Sequence, residues 1–203
     1  MNPSPFPSRE TRATQREEKR LALLQAAVRL FNERGFHATS LEDVAASLGV
    51  TKPVVYHYLG TKDQVLFECV RIGLEQLKQA VESSADLPGS GLDRLEFALR
   101  RYAEINMEDF GACVVRTGDT LLSPQSRAQF RTLKRANNAA LQALVQAAAD
   151  DGSALVEDVP LATFTLAGAL NWPATWFRED GPRSRQDVAR DMVRVLLCGL
   201  KPR

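Results

Sequence analysis

Apolar residues recur along the chain at spacings of three and four, and no segment alternates with period two. That pattern predicts an all-α protein of about nine helices. Leu24, Ala27, Val28 and Phe31 follow Leu21 at helical spacing, so a first helix is expected over about 16–34, stopped by Gly35. Thr39 and Ser40 then offer an N-cap, and Thr39 with Glu42 fits a capping box. The short second helix, about 41–48, would bury Val44, Ala45 and Leu48. Gly49-Val50 makes a tight turn. Thr51 can cap a third helix with Pro53 in its first turn, where a missing N–H is harmless, ending near Gly60. A fourth helix over about 62–84 carries Leu66, Cys69, Val70, Leu74, Leu77 and Val81 on one side.

The second half continues in the same style. A Leu-Pro-Gly-Ser-Gly loop at 87–91 precedes helices expected over about 92–109, 124–149, 159–177 and 184–200, with 111–122 ambiguous between a short helix and a turn. Leu95, Leu99, Tyr102 and Ile105 share one side of the first of these, and Phe130, Leu133, Asn137, Leu141, Leu144 and Ala148 form the inner stripe of the second. Segment 159–177 is almost wholly apolar or small and must be covered on most sides. Pro173 should kink it, leaving the Ala169 carbonyl to another partner. In the last helix Val188, Met192, Val195, Leu196 and Gly199 are expected inward. Residues 1–14 are rich in Pro and Ser and read as disordered. Arg9, Arg12 and the following Arg16 fit either a basic arm following a DNA minor groove or a solvated tail.

Composition changes the picture little. A 203-residue chain with 44% hydrophobic and 25% charged residues suits a soluble globular protein of one or two domains. The net charge of +1 makes no case for nucleic acid by itself. Its distribution is uneven: 9 Lys and Arg against 6 Asp and Glu in 1–62, then 17 against 19 in 63–203. Cys69, Cys113 and Cys198 are far apart, with no metal-binding spacing and no adjacent histidine base, which points to no metal, no cofactor and a reducing compartment. Neither a signal peptide nor a membrane-length apolar run is visible, so a cytoplasmic location is expected. No catalytic constellation exists, and the Gly89-x-Gly91 pair follows no strand and is no phosphate loop.

The chemistry concentrates in 39–62. A helix, a tight turn and a second helix with an exposed polar start form the helix-turn-helix layout, whose second helix enters the major groove. Thr51 and Lys52 open that helix, with Tyr56 and His57 one turn on. Lys52 and Lys62 offer charge to phosphates, and Thr51 with the helix N-terminal N–H groups can donate to phosphate oxygens. Tyr56 and His57 suit phosphate or sugar, and Val54 a thymine methyl; Val55 and Tyr58 would face inward. The competing reading is a set of surface aromatics on a helical protein with no nucleic-acid role.

Residues 23–67 resemble the N-terminal domain of the TetR family of bacterial transcriptional regulators. The resemblance rests on Ala26-Ala27, Leu30-Phe31, Gly35-Phe36, Thr39-Ser40, Val44-Ala45, Gly49-Val50, Tyr56, Tyr58 and Lys62. Pro53 departs from a frequent glycine and Leu59 from a usual phenylalanine. The resemblance implies a homodimer on a palindromic DNA operator, with Thr39, Thr51, Lys52, Pro53, Tyr56, His57 and Lys62 at DNA-contact positions and Ser40 beside them. It divides the chain into an arm (1–15), a three-helix helix-turn-helix domain (16–62) and a helical ligand-binding and dimerisation domain (63–203). Helices 159–177 and 184–200 would form the dimer bundle, where Gly168 and Ala169 allow close approach.

From Leu121 onward, LLSPQSR and then GALNWPATWFREDGP resemble a subgroup responding to acyl-CoA thioesters from fatty-acid, sterol or aromatic-acid breakdown. Such an effector needs an apolar trough and cations. Arg100, Arg101, Arg116, Lys134 and Arg135 are candidate cations, each equally readable as a solvated face. Tyr102, Phe130, Asn137, Asn171, Trp172 and Trp176 are candidate pocket groups, although the tryptophans fit a dimer core as well. The resemblance thus implies a ligand-responsive repressor released by its effector. Alternatives are the same scaffold sensing a lipophilic drug or aromatic acid, and a helical interaction dimer that binds no DNA.

Overall fold

The computed structural model describes residues 9–198, with side chains described from Arg12 onward. Among the described residues every regular element is helical: α1 (Arg9–Arg34), α2 (Leu41–Ser47), α3 (Lys52–Leu59), α4 (Lys62–Ala85), α5 (Gly91–Asn106), α6 (Asp109–Arg116), a 3-10 turn (Asp119–Leu121), α7 (Pro124–Asp150), α8 (Val159–Asn171), the four-residue α9 (Pro173–Trp176) and α10 (Arg185–Cys198). Two compact units divide at Glu68 and Cys69. The division falls inside α4, whereas the sequence suggested a boundary at its start.

The first unit is built on α1, α2 and α3. Leu24, Ala27, Val28 and Phe31 are buried along α1, against Leu41, Val44 and Ala45 from α2 and Val55 and Leu59 from α3. Helix α1 starts at Arg9, which corrects the expected disorder over 9–14. The run RETRATQREEKR has strong helix formers and no Gly or Pro, so the helix persists although Arg12 and Arg16 are exposed. The remainder of the expected arm, 1–8, lies outside the described residues, as does the side chain of Arg9.

The capping box of α2 falls one residue later than expected. Ser40 Oγ accepts from the Asp43 N–H (3.1 Å), and Asp43 accepts from the Ser40 N–H (2.7 Å), an arrangement worth about 1 kcal/mol. Leu48, expected inside, is exposed. It lies past the end of α2, its N–H closing back on the Ala45 carbonyl just before Gly49 turns the chain with φ +64°. Only a residue tolerant of positive φ fits there without strain. Leu21, one turn before the buried stripe of α1, is likewise exposed.

The second unit is organised around α5, which packs on α6, α7, α8 and α10. Leu95, Ala98, Leu99 and Ala103 are wholly buried and join Leu141, Val145 and Ala148 of α7 with Leu166 and Leu170 of α8. Ser90 and Asp93 form the capping box that starts α5, and the first helical residue is glycine because α7 passes so close. A Cβ there would lie 2.5 Å from Ala148 Cα and 2.8 Å from the Ala147 carbonyl oxygen. Asp151 and Ser153 accept from the Gly91 and Leu92 N–H groups, at 2.5 and 2.9 Å, supplying the helix start with partners from a distant turn.

Segment 159–177 is broken at Pro173 into α8 and α9. The Ala169 carbonyl, deprived of its usual donor, accepts from the Trp172 N–H at 3.3 Å, as the missing proline N–H requires. On α10, Val188 is buried and Met192 and Leu196 partly so, but Val195 is 70% exposed; Gly199 and Leu200 lie outside the described residues. No described helix is long and apolar enough to cross a membrane.

Candidate functional site

Helix α3 has one buried edge, Val55 and Leu59, which seats it on the first unit and leaves its other faces outward. Thr51, Lys52, Pro53, Tyr56 and His57 are all exposed, and so is Val54. Tyr58 is half-buried, with His57 set edge-on to it at 5.2 Å. Thr51 occupies the N-cap position without a side-chain capping bond. Lys52 is held on two sides: its ammonium pairs with Glu42 of α2 and lies 5.4 Å from the centre of the Tyr56 ring. The hydrogen bond to Lys52 draws the Glu42 carboxyl below its usual range, and the same bond raises Lys52. The lysine is therefore a positioned cation.

The remaining residues of this set take different roles. Thr39 is buried, its hydroxyl within reach of the Gly35 and Leu30 carbonyls (2.9 and 3.2 Å). It braces the α1–α2 turn, a correction to its expected place as a groove contact. The Ser40 hydroxyl is engaged with Asp43 (2.7 Å). Lys62 lies 4.2 Å above the Phe36 ring, and burial lowers its pKa while Asp43 pulls the other way.

In the second unit a cavity of about 490 Å³ opens among α4, α5, α6, α7 and α8. Of the expected pocket groups, Tyr102, Lys134, Asn137 and Asn171 line it, together with the candidate cation Arg135. Its apolar wall comes from Leu74 and Leu77, Val114 and Val115, and Leu141, Phe164 and Ala167. One end is rich in amides. Tyr102 Oη and Asn106 Nδ2 both donate to Asn171 Oδ1, at 2.9 and 3.0 Å, and burial raises the Tyr102 pKa. Asn106 and Asn138 were missed from the sequence. A fully buried asparagine one turn past Tyr102 on the inner stripe of α5 was the available signal for Asn106.

Six expected pocket residues lie elsewhere, each for a visible reason. Arg100 pairs with Glu96 and Arg101 with Glu104, one turn away on α5 itself. Arg116 Nε donates to the Ala174 carbonyl (2.9 Å), serving the short α9. Phe130 is wholly buried beneath Lys134, whose ammonium stands 5.1 Å from the ring centre. Trp172 and Trp176 follow the break in α8 and turn outward, 65% and 47% exposed. Leu161 and Phe164 of α8 and Val195 of α10 are exposed as well. Among the described residues no group of three His, Cys, Asp or Glu is placed to hold a metal ion.

An exposed second helix in a helix-turn-helix unit, followed in the chain by a helical unit with its own cavity, is the layout of a DNA-binding regulator. The comparisons agree. Residues 23–69 match the bacterial regulatory proteins of the tetR family, and residues 88–200 match the tetracyclin repressor-like C-terminal domain. The chain belongs to the TetR family of transcriptional regulators, which are DNA-binding proteins and not enzymes.

Among curated relatives, the transcriptional repressor KstR2 of Mycolicibacterium smegmatis is 27% identical over 92% of this chain and 93% of its own length. The transcriptional activator FasR of the same organism is 24% identical over 91% and 84%. Among solved structures, PfmR of Thermus thermophilus is 31% identical, covers 89% of this chain and 99% of its own, and superposes with a TM-score of 0.79. AibR, crystallised with isovaleryl coenzyme A and operator DNA, shares the fold at 24% identity and a TM-score of 0.75, over 87% and 96% of the two chains.

Proposed function

We propose that this protein is a repressor that binds a palindromic operator as a homodimer and is released by a coenzyme A thioester. The observation that carries the reading is the pairing, within one TetR-family chain, of an exposed, cation-bearing α3 with a cavity whose lining joins hydrocarbon walls to Lys134 and Arg135. Thr51, Lys52, Tyr56 and His57 are the groups offered to DNA, Lys52 as a phosphate contact and the others around the helix start. Pro53 shapes that start, and Lys62, at the head of α4 and over the Phe36 ring, is a further cation for phosphate. The exposure of the large apolar side chains Leu161, Trp172, Trp176 and Val195 on α8–α10 supports pairing with a second copy, and the complex of AibR with isovaleryl coenzyme A supports the effector class.

Release follows as a population shift. Helix α4 runs unbroken from Lys62 to Ala85, and Leu74 and Leu77 on it line the cavity. An effector that binds against Leu74 and Leu77 and favours the state with low operator affinity shifts the population away from DNA. A coupling of about 1–3 kcal/mol would change operator affinity roughly 5–150-fold. The experiment is a titration of DNA selected by the protein from a random-sequence pool, with and without short- and long-chain acyl-CoAs. Weakening within that range is expected, and no response to any CoA thioester removes the effector class.

A second reading is favoured by a specific observation: Arg100, Arg101 and Arg116 are engaged away from the cavity. With fewer cations, the same walls suit a lipophilic drug or an aromatic acid. In the same titration such compounds would act where CoA thioesters do not.

A further inference from the structure

The amide-rich end of the cavity carries a finer inference, which rests on the CoA-thioester reading above. Asn106 is wholly buried, and the orientation of its amide is fixed by its partners. Its Nδ2 stands 3.2 Å from the Leu170 carbonyl and 3.0 Å from Asn171 Oδ1. A backbone carbonyl only accepts, so a flipped amide would set oxygen against oxygen. Asn106 Oδ1 is thereby left buried with no donor among the described residues.

Asn137 on α7 repeats the arrangement. Its Nδ2 donates to the Leu133 carbonyl at 3.1 Å, which fixes the flip, and its Oδ1 is again buried with no donor among the described residues. Both side chains line the same cavity. Buried polar atoms nearly always find partners, so two orphaned acceptors on side chains that line one cavity describe what a ligand should bring. A deprotonated acid or a bare hydrocarbon brings no donor. A hydroxyl or an amide N–H does.

We propose that Asn106 and Asn137 accept hydrogen bonds from the amide N–H groups of the effector's pantetheine arm. The apolar walls would take the acyl chain, and Lys134 and Arg135 the phosphates. Hydrocarbon, paired secondary amides and phosphates, in that order, are the sequence of groups in an acyl-CoA. The arm is then read by its donors, and acyl chains of different length share one anchor.

The test uses a ladder of thioesters on the full-length protein, followed by calorimetry: S-octanoyl-pantetheine with both amides, S-octanoyl-N-acetylcysteamine with one, and S-ethyl thiooctanoate with none. Each lost N–H should weaken binding by about tenfold. In Asn137→Leu one of the two steps should vanish while the amide-free ester binds as before. Affinity that is level across the ladder, or a ladder unchanged by Asn137→Leu, overturns the assignment and leaves the CoA-thioester reading standing. Failure of the whole series and of octanoyl-CoA to bind overturns both. A level wild-type ladder overturns the assignment even if the variant does not fold.

Discussion

Unfolding at high pH isolates the burial of one side chain, the Cys113 thiol on α6, whose neighbours Val114 and Val115 line the cavity. Cys113 is 2% exposed, with Sγ 3.7 Å from Thr117 Oγ1. Burial pushes the thiol up from 9.0 to about 11, against weaker pulls downward from the Thr117 hydroxyl and the Arg116 charge. The sign follows from which state ionises first. Below pH 9 both states hold the proton and the contribution is fully present. Between 9 and 11 the unfolded chain sheds the proton while the folded one retains it, so stability is lost as pH rises. For these two values the loss is about 2 kcal/mol at pH 10.5 and close to zero at pH 7.5.

The comparison is urea unfolding of the wild type and Cys113→Ala at both pH values, followed by the fluorescence of Trp172 and Trp176, which both belong to the second unit. Other groups that titrate in alkali cancel in the difference between the two proteins. The wild-type advantage should shrink by about 2 kcal/mol on going from pH 7.5 to 10.5. An advantage that stays constant would refute the reasoning, because it would mean that the thiol is as well solvated folded as unfolded. The same burial makes Cys113 slow to alkylate in the native protein.

Two further outcomes follow from the geometry. Glu42→Gln frees the Lys52 ammonium and removes a carboxylate from the DNA-facing side, so operator affinity should rise roughly two- to fivefold, whereas Lys52→Met should lower it and flatten the salt dependence by about 0.9 in log–log slope per protomer; filter binding from 50 to 300 mM salt reads both, and an unchanged slope in Lys52→Met would remove the phosphate contact. Val195→Glu places a charge on the exposed apolar surface of α10 and should yield monomers in sedimentation velocity that fold normally yet bind operator at least tenfold more weakly, because two half-sites are no longer engaged together. A variant that still sediments as a dimer would move the interface elsewhere.

The first unit was legible in detail because local rules decide most of it. Gly35, Gly49, Pro53 and Gly60 punctuate the chain where backbone geometry demands, and the apolar stripe of α1 fixes which face is covered. The errors there are errors of register at helix ends. Thr39 and Ser40 both satisfy the chemistry of an N-cap, and the choice was made by the inward pull of the Gly35 and Leu30 carbonyls on Thr39. Leu48 has the spacing of a core residue, but the helix ends before its position is reached. Helix α1 extends further toward the N-terminus than the proline-rich start suggests, because the last of those prolines is Pro7 and helix formers follow directly.

The cavity was legible only in part, and Pro173 shows why. Its missing N–H could be read from the sequence as a kink and an unclaimed Ala169 carbonyl, and both occur. Where the chain goes after the break could not be read. The turn carries Trp172 and Trp176 outward and brings the Ala174 carbonyl to Arg116, so three expected pocket residues leave the cavity together. The same break ends α8 at Asn171, and the Leu170 carbonyl in its last turn accepts from Asn106. That bond fixes the Asn106 amide and leaves its oxygen buried without a donor. A single proline thus displaces the residues that resembled a pocket and orients one that did not. Spacing along a helix can mark Asn106 as buried, but only the partner 64 residues away determines which of its atoms a ligand would meet.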